Sequence, residues 1–141
     1  MLICCVIALL FCITGNAKVP YIPKIINYSV SDYKAGNQNW AVSQGPGGKM
    51  YIGNNRGLLV FDGIHWDLVK LPNNLGVRAL YISKDGRIYV GSFEEFGYFE
   101  MDDENDLIYH SLSSSEMNVY LNNDEFWTIN EYKGEIYFQS F

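Results

Sequence analysis

The chain has 141 residues, with 10 Lys+Arg against 16 Asp+Glu and a formal net charge of -6, which leaves room for one ordinary domain and not for two. The acid excess argues against direct nucleic-acid binding, which rests on basic side chains against phosphate. With 18% charged and 48% hydrophobic residues, the chain is neither a disordered tail nor a coiled coil, and its 13 Gly, 11 Tyr, 8 Phe and 3 Trp favour short strands joined by tight turns.

Residues 2–13 are an unbroken apolar run, followed by Gly15-Asn16-Ala17 and the first charge, Lys18. The run is too short for a bilayer, which needs about 20 apolar residues as a helix, but suits a secretory h-region of about 7 to 15. Residues 1–17 are therefore expected to be a signal peptide cleaved after Ala17. No Lys or Arg precedes the run, a departure that leaves an uncleaved interfacial anchor as the alternative. Cys4, Cys5 and Cys12 all lie in this segment, so no disulfide is expected in the mature part. Residues 18–38 form a lead-in, with Ile25-Ile26-Asn27-Tyr28 as the strand expected to close a ring against its last blade.

From there a repeat governs the chain. Gly48-Lys49-Met50-Tyr51-Ile52-Gly53 returns as Gly86-Arg87-Ile88-Tyr89-Val90-Gly91 and as Gly134-Glu135-Ile136-Tyr137-Phe138-Gln139. Each copy follows an alternating apolar segment and enters through Gly47-Gly48, Asp85-Gly86 or Lys133-Gly134, dipeptides that suit hairpin turns. The first two copies continue through two further strands, with Asp62-Gly63 and the acidic 102–106 stretch as the next turns. Four antiparallel strands in about 40 to 45 residues is the size of one propeller blade. The fold class is all-β, a partial β-propeller of about two and a half four-stranded antiparallel blades at 39–71, 77–112 and 126–141. A β-sandwich with accidental internal similarity stays open. Closed propellers hold about four to eight blades, so the expectation is a fragment of a longer protein, cut within the third blade at Phe141, or else a short product that oligomerises.

Asp32-Tyr33-Lys34-Ala35-Gly36-Asn37-Gln38-Asn39-Trp40, then Tyr51-Ile52-Gly53-Asn54-Asn55-Arg56-Gly57-Leu58-Leu59, Phe61-Asp62-Gly63 with Trp66, and above all Gly91-Ser92-Phe93-Glu94-Glu95-Phe96-Gly97-Tyr98 resemble the start of the regulator-propeller sensors of Bacteroidota. The resemblance covers nearly all of the chain past the leader. It implies a periplasmic sensor region that, in the full-length protein, precedes a triple-tyrosine β-domain, one transmembrane helix and a cytoplasmic output. That output is a helix-turn-helix domain or the histidine kinase of a hybrid two-component system. The implied protein is anchored in the inner membrane and dimerises, and membrane contact falls to its leader or its C-terminal parts.

Residue chemistry gives no catalytic centre. Gly45-Pro46-Gly47-Gly48-Lys49 lacks phosphate-loop spacing and precedes a strand, not a helix. His65 and His110 have no ligand-spaced companions, so neither a metal nor another cofactor is expected. Glu94 and Glu95 are adjacent, whereas glycosidase chemistry needs two carboxyls converging on one bond. A binding role fits better. In a meandering blade the first-to-second and third-to-fourth strand turns emerge at one end, and here they are mostly minimal Gly turns. The other end collects Asn54, Asn55, Arg56, Phe93, Glu94, Glu95 and Phe96 with the Pro72-Asn73-Asn74 and 113–125 connectors. Amides and carboxylates bond hydroxyls, and aromatic faces cover sugar rings, so these seven are the expected contacts for an oligosaccharide. Phe93 and Phe96 are equally consistent with plugging the gap between blades. Trp40, Tyr51, Phe61, Trp66, Tyr89, Trp127 and Tyr137 are expected to fill the core. The function these features favour is a non-enzymatic sensor that reports a glycan-derived nutrient to a transcriptional output, against a secreted polysaccharide-cleaving propeller or a structural dimerisation module.

Overall fold

A computed structural model of the protein describes residues 22–114, 116–117, 120–121 and 123–141. The expected signal peptide and its three cysteines lie outside the described residues. The architecture is all-β. One short helix, α1 (Val30–Tyr33), precedes β1 (Asn39–Gln44), β2 (Met50–Asn54), β3 (Gly57–Phe61) and β4 (Trp66–Val69). A second set follows as β5 (Ala79–Ile82), β6 (Ile88–Gly91), β7 (Phe96–Met101) and β8 (Leu107–Ser111), and then β9 (Phe126–Tyr132) with β10 (Glu135–Ser140). Each set is a separate antiparallel meander, in the orders β1-β2-β3-β4, β5-β6-β7-β8 and β10-β9. Packing between sheets concentrates on β1, β5 and β9, so the sheets radiate from these strands like blades from an axle.

The turn chemistry expected from sequence sets the registers. Lys133 and Gly134 both have positive φ, 52° and 83°, and Glu135 pairs with Tyr132 across them, the primed two-residue turn that matches strand twist. At the β3–β4 turn Gly63 sits at φ 102°, and the Asp62 carboxylate accepts the backbone N–H groups of Ile64 and His65 at 2.8 and 2.6 Å. Those bonds favour its ionised form and lower its pKa to about 2.

Alternate residues of a strand face opposite sides of its sheet, and the middle strands are covered on both. Leu58 and Leu59, neighbours in β3, are both buried. One core joins the first two blades, with Tyr51, Leu58 and Val60 against Val77, Ile88, Val90 and Phe99, and Leu71 from the connector. A smaller one joins the second and third through Phe96, Leu121 and Phe126, with Phe138 against them. Full burial of a Leu or Phe contributes roughly 1.5–3 kcal/mol relative to exposure.

Both joins share a backbone device. The Val77 N–H donates to the Asn54 carbonyl at 2.9 Å, and the Phe126 N–H to the Ser92 carbonyl at 2.9 Å. Just before each acceptor stands a glycine that lets the next blade approach. A Cβ on Gly53 would lie 3.0 Å from the Val77 carbonyl oxygen, and one on Gly91 2.7 Å from the Phe126 Cβ.

Several expected core aromatics lie elsewhere. Tyr51 is 2% exposed, but Trp40, Trp127 and Tyr137 are 40%, 37% and 50% exposed, and Phe61, Trp66 and Tyr89 are half-buried. Trp40 and Trp127 are the second residues of β1 and β9 and meet at the axis, where among the described residues no core forms. The tyrosine of the repeat loses cover blade by blade. Tyr51 is sealed by the second blade, Tyr89 meets Phe138 of the third at 6.2 Å, and Tyr137 donates to Glu135 beside it at 2.8 Å. Nor is 25–28 a strand. Tyr28 packs edge-on to Phe61 and Trp66 at 5.1 and 5.2 Å, and the preceding Ile22, Ile25 and Ile26 are exposed.

Gly91→Ala forces Phe126 outward at the second join. It is expected to destabilise the chain by about 1–3 kcal/mol, and to speed hydrogen exchange at the Phe126 and Trp127 amides more than at Tyr51. Urea unfolding and exchange measured by NMR check both.

Candidate functional site

The β2–β3 and β6–β7 turns and the connectors between sheets emerge at one end of the blades, where a cleft of about 470 Å³ is lined by Asn73, Leu75, Phe93, Glu94, Glu95, Ser113, Ser114 and Leu121. Its floor is the β6–β7 turn. The Ser92 N–H donates to the Glu95 carbonyl at 2.9 Å and the Ser92 hydroxyl to the Gly76 carbonyl at 2.6 Å, so a buried serine staples the turn to the preceding connector. Glu94 adopts φ 52°. Its N–H donates to the Asp124 carbonyl at 2.8 Å and its carboxylate accepts the Asn123 N–H at 2.8 Å, while Phe93 pairs with Glu125 as an isolated bridge. The turn thus grips the strand leading into the third blade.

Glu95 is the organised group of the cleft. Its Oε1 accepts the Tyr109 hydroxyl at 2.7 Å and the Ser111 hydroxyl at 2.6 Å, and its Oε2 accepts the Ser113 hydroxyl at 2.7 Å. Two carboxylate oxygens offer about four acceptor positions, so about one stays open. Gly97 makes this possible. A Cβ there would lie 2.7 Å from the Tyr109 hydroxyl and 2.2 Å from the His110 carbonyl oxygen, so only a bare backbone lets the phenol cross β7 to reach Glu95. Burial, followed by the bond to Glu95 and its negative charge, drives the Tyr109 pKa well above that of an ordinary phenol.

Of the seven expected contacts, Phe93, Glu94 and Glu95 come together in the cleft, and Phe93 is 41% exposed. Phe96 is 8% exposed and belongs to the core of the second join. Asn54 is fully buried and committed to the fold. Its Oδ1 accepts the Gly36 and Arg56 N–H groups at 2.9 and 3.0 Å, and its Nδ2 donates to the Gly36 carbonyl and the Asn39 Oδ1 at 2.8 and 2.7 Å. Asn55 is half-buried beside Gly36, and Arg56 is exposed outside the cleft. Sequence reasoning passed over Leu75, Tyr109 and Ser111, whereas Leu121 falls in the 113–125 connector it had named. The Ser111-Leu112-Ser113-Ser114 run at the end of β8 was the available signal for a hydroxyl cluster.

The opposite end is less bare than its minimal turns suggest. A cleft of about 530 Å³ lies there between the first two blades, bounded by Pro46, Lys49, Tyr51, Asp85, Arg87, Ile88, Glu100 and Met101. Its charges are largely spent on one another. Arg87 pairs with Glu100 at 3.2 Å and with Asp85 at 3.8 Å, covers the Tyr98 ring at 5.0 Å, and Glu100 also meets His110 at 3.0 Å. Among the described residues no group of three or more His, Cys, Asp or Glu side chains is placed to hold a metal, and no helix is long and apolar enough to cross a membrane.

Radiating four-stranded meanders, joined through a repeated glycine and a repeated backbone bond, define a partial β-propeller. Residues 70–94 match the family model described as two component regulator propeller. That segment runs from the connector after β4 through β5 and β6 into the turn that floors the cleft. No curated protein and no solved structure matches the chain.

Glu95→Gln removes the negative charge facing Tyr109 while burial persists. The phenol is expected to ionise at lower pH than in the unmodified protein, yet still above the ordinary value near 10. Because the folded-state pKa is raised, the linked stability is complete below about pH 10 and is lost as pH rises further, so Glu95→Gln shifts alkaline unfolding. Ultraviolet difference titration of tyrosinate and urea unfolding above pH 9 read the two effects.

Proposed function

We propose that the chain is the ligand-sensing propeller region of an exported, membrane-anchored regulator, and that it binds a polyhydroxylated, glycan-derived ligand at the end bearing Phe93, Glu94 and Glu95. The observation that carries this reading is Glu95, a carboxylate fixed by three hydroxyls with acceptor capacity left, beside an exposed phenyl ring in a cleft large enough for one or two sugar units. Carboxylates and serine hydroxyls exchange hydrogen bonds with sugar hydroxyls, and the ring covers the apolar C–H face. Periplasmic placement and coupling to a transcriptional output follow from the likeness to regulator-propeller sensors, with the family match at 70–94 in support.

The reading is non-catalytic. Glu94 is turned to the Asn123 backbone and Glu95 to Tyr109, Ser111 and Ser113, so the two carboxyls serve different partners and do not face each other across a space for one scissile bond.

The full chain, labelled with nitrogen-15, is titrated with mixed neutral xylo-, manno- and gluco-oligosaccharides. Amide shifts are expected to cluster at residues 93–95 and 113–114, and Glu95→Gln is expected to weaken binding by about tenfold, the loss of one charge-assisted bond. Shifts confined to the Pro46 and Asp85 end, or none, would overturn the proposal.

A further inference from the structure

We infer that Trp40, Arg78 and Trp127 form a stacking subsite for an uncharged pyranose ring at the axial mouth of the same end. The inference rests on the reading that this end binds a polyhydroxylated ligand, and it specifies the chemistry that is admitted.

The three residues hold one station in three successive blades. Ala41 pairs with Gly53, Ala79 with Gly91 and Thr128 with Gln139, which are matching positions of the repeat, and Trp40, Arg78 and Trp127 each stand one residue earlier. Trp40 and Trp127 are the second residues of β1 and β9, and Arg78 directly precedes β5, so the three meet at the axis. The indoles touch edge to face, with centroids 5.5 Å apart at 81°, and the Arg78 guanidinium lies 4.5 Å from the Trp40 ring centre and 5.8 Å from that of Trp127. Arg78 is itself held by Glu125, its Nε donating to Oε1 at 2.5 Å.

A cation between two indoles fixes their relative angle. Rings fixed before binding lose little freedom when a ligand stacks on them. Yet Trp40 and Trp127 remain 40% and 37% exposed, an unusual amount of paired indole surface to leave in water. An L-shaped pair of aromatic faces suits the C–H face of a sugar ring.

Charge decides which sugars fit. Glu94, Glu95, Asp124 and Glu125 stand together on the β6–β7 turn and the segment it grips, and the positive charge of Arg78 is already engaged by Glu125. Glu125 lies directly against Arg78, and within the roughly 8 Å Debye length of physiological salt a carboxylate repels uronate and sulfated rings and leaves neutral ones unaffected.

The test uses the full chain carrying Trp66→Phe, so that Trp40 and Trp127 are its remaining indoles. Its fluorescence is followed against the neutral oligosaccharides above and against oligogalacturonates and chondroitin sulfate oligosaccharides of equal length. At least one neutral set is expected to change the emission, with the acidic sets weaker by about tenfold or more. By calorimetry, Trp127→Ala and Arg78→Gln should each lower neutral-sugar affinity by about tenfold, while Trp127→Tyr, which keeps an aromatic face, stays within about threefold. Circular dichroism and the urea midpoint confirm that each variant is folded, and Trp127→Tyr carries the test should the alanine variant unfold. Acidic sugars binding as well as neutral ones would overturn the inference. So would neutral-sugar binding that survives Trp127→Ala and Arg78→Gln but falls in Glu95→Gln, and that result would leave the cleft reading standing. Absence of binding by every set overturns both.

Discussion

The structure depends on one backbone contact made twice. The amides of Val77 and Phe126 reach across to the carbonyls of Asn54 and Ser92, and they reach them because Gly53 and Gly91 present no side chain in the way. An isolated repeat unit of this kind cannot bury its apolar faces alone. The join turns such sheets into mutual cover, placing Val77 against Tyr51 and Leu58 in one core and Phe126 against Phe96 in the other. The side chains of the two acceptor residues add to the same function. Asn54 ties the strand end to the lead-in at Gly36, and Ser92 ties it to Gly76.

The candidate site follows from the second join. Once Phe126 is docked, the segment before it must run over the β6–β7 turn, which brings Asp124 and Glu125 against Glu94 and Phe93. Glu125 then meets Arg78, and Arg78 settles between the two indoles. One chain of contacts therefore runs from the cleft at Glu95 to the axis at Trp40. Residues that touch this route are constrained by the packing of two blades as well as by any ligand.

How much of this was legible in the sequence depended on whether a residue's role is local. Turn chemistry is local, so Lys133-Gly134 and Asp62-Gly63 announced their hairpins, and the glycine-to-tyrosine hexamers announced the blades. Burial of an aromatic is not local. Trp40 and Tyr51 look alike in an alternating strand, but one points at the axle and the other at the next sheet. Asn54 and Glu94 both sit near polar turns, yet Asn54 turns inward because the lead-in offers it an N–H and a carbonyl at Gly36, a partner eighteen positions away. Tyr109 escaped notice for the same reason. Its link to Glu95 exists only because Gly97, on the strand between, is bare.

The third copy of the hexamer ends in Gln139, where the first two end in Gly53 and Gly91. At those two positions even a methyl group would sit within about 3 Å of the approaching chain, closer than non-bonded carbon atoms normally rest. A neighbour seated on β10 in the same manner would be held off by a glutamine side chain. The angular pitch of the fan would widen there, and any ring built on these blades would be unevenly spoked at that boundary.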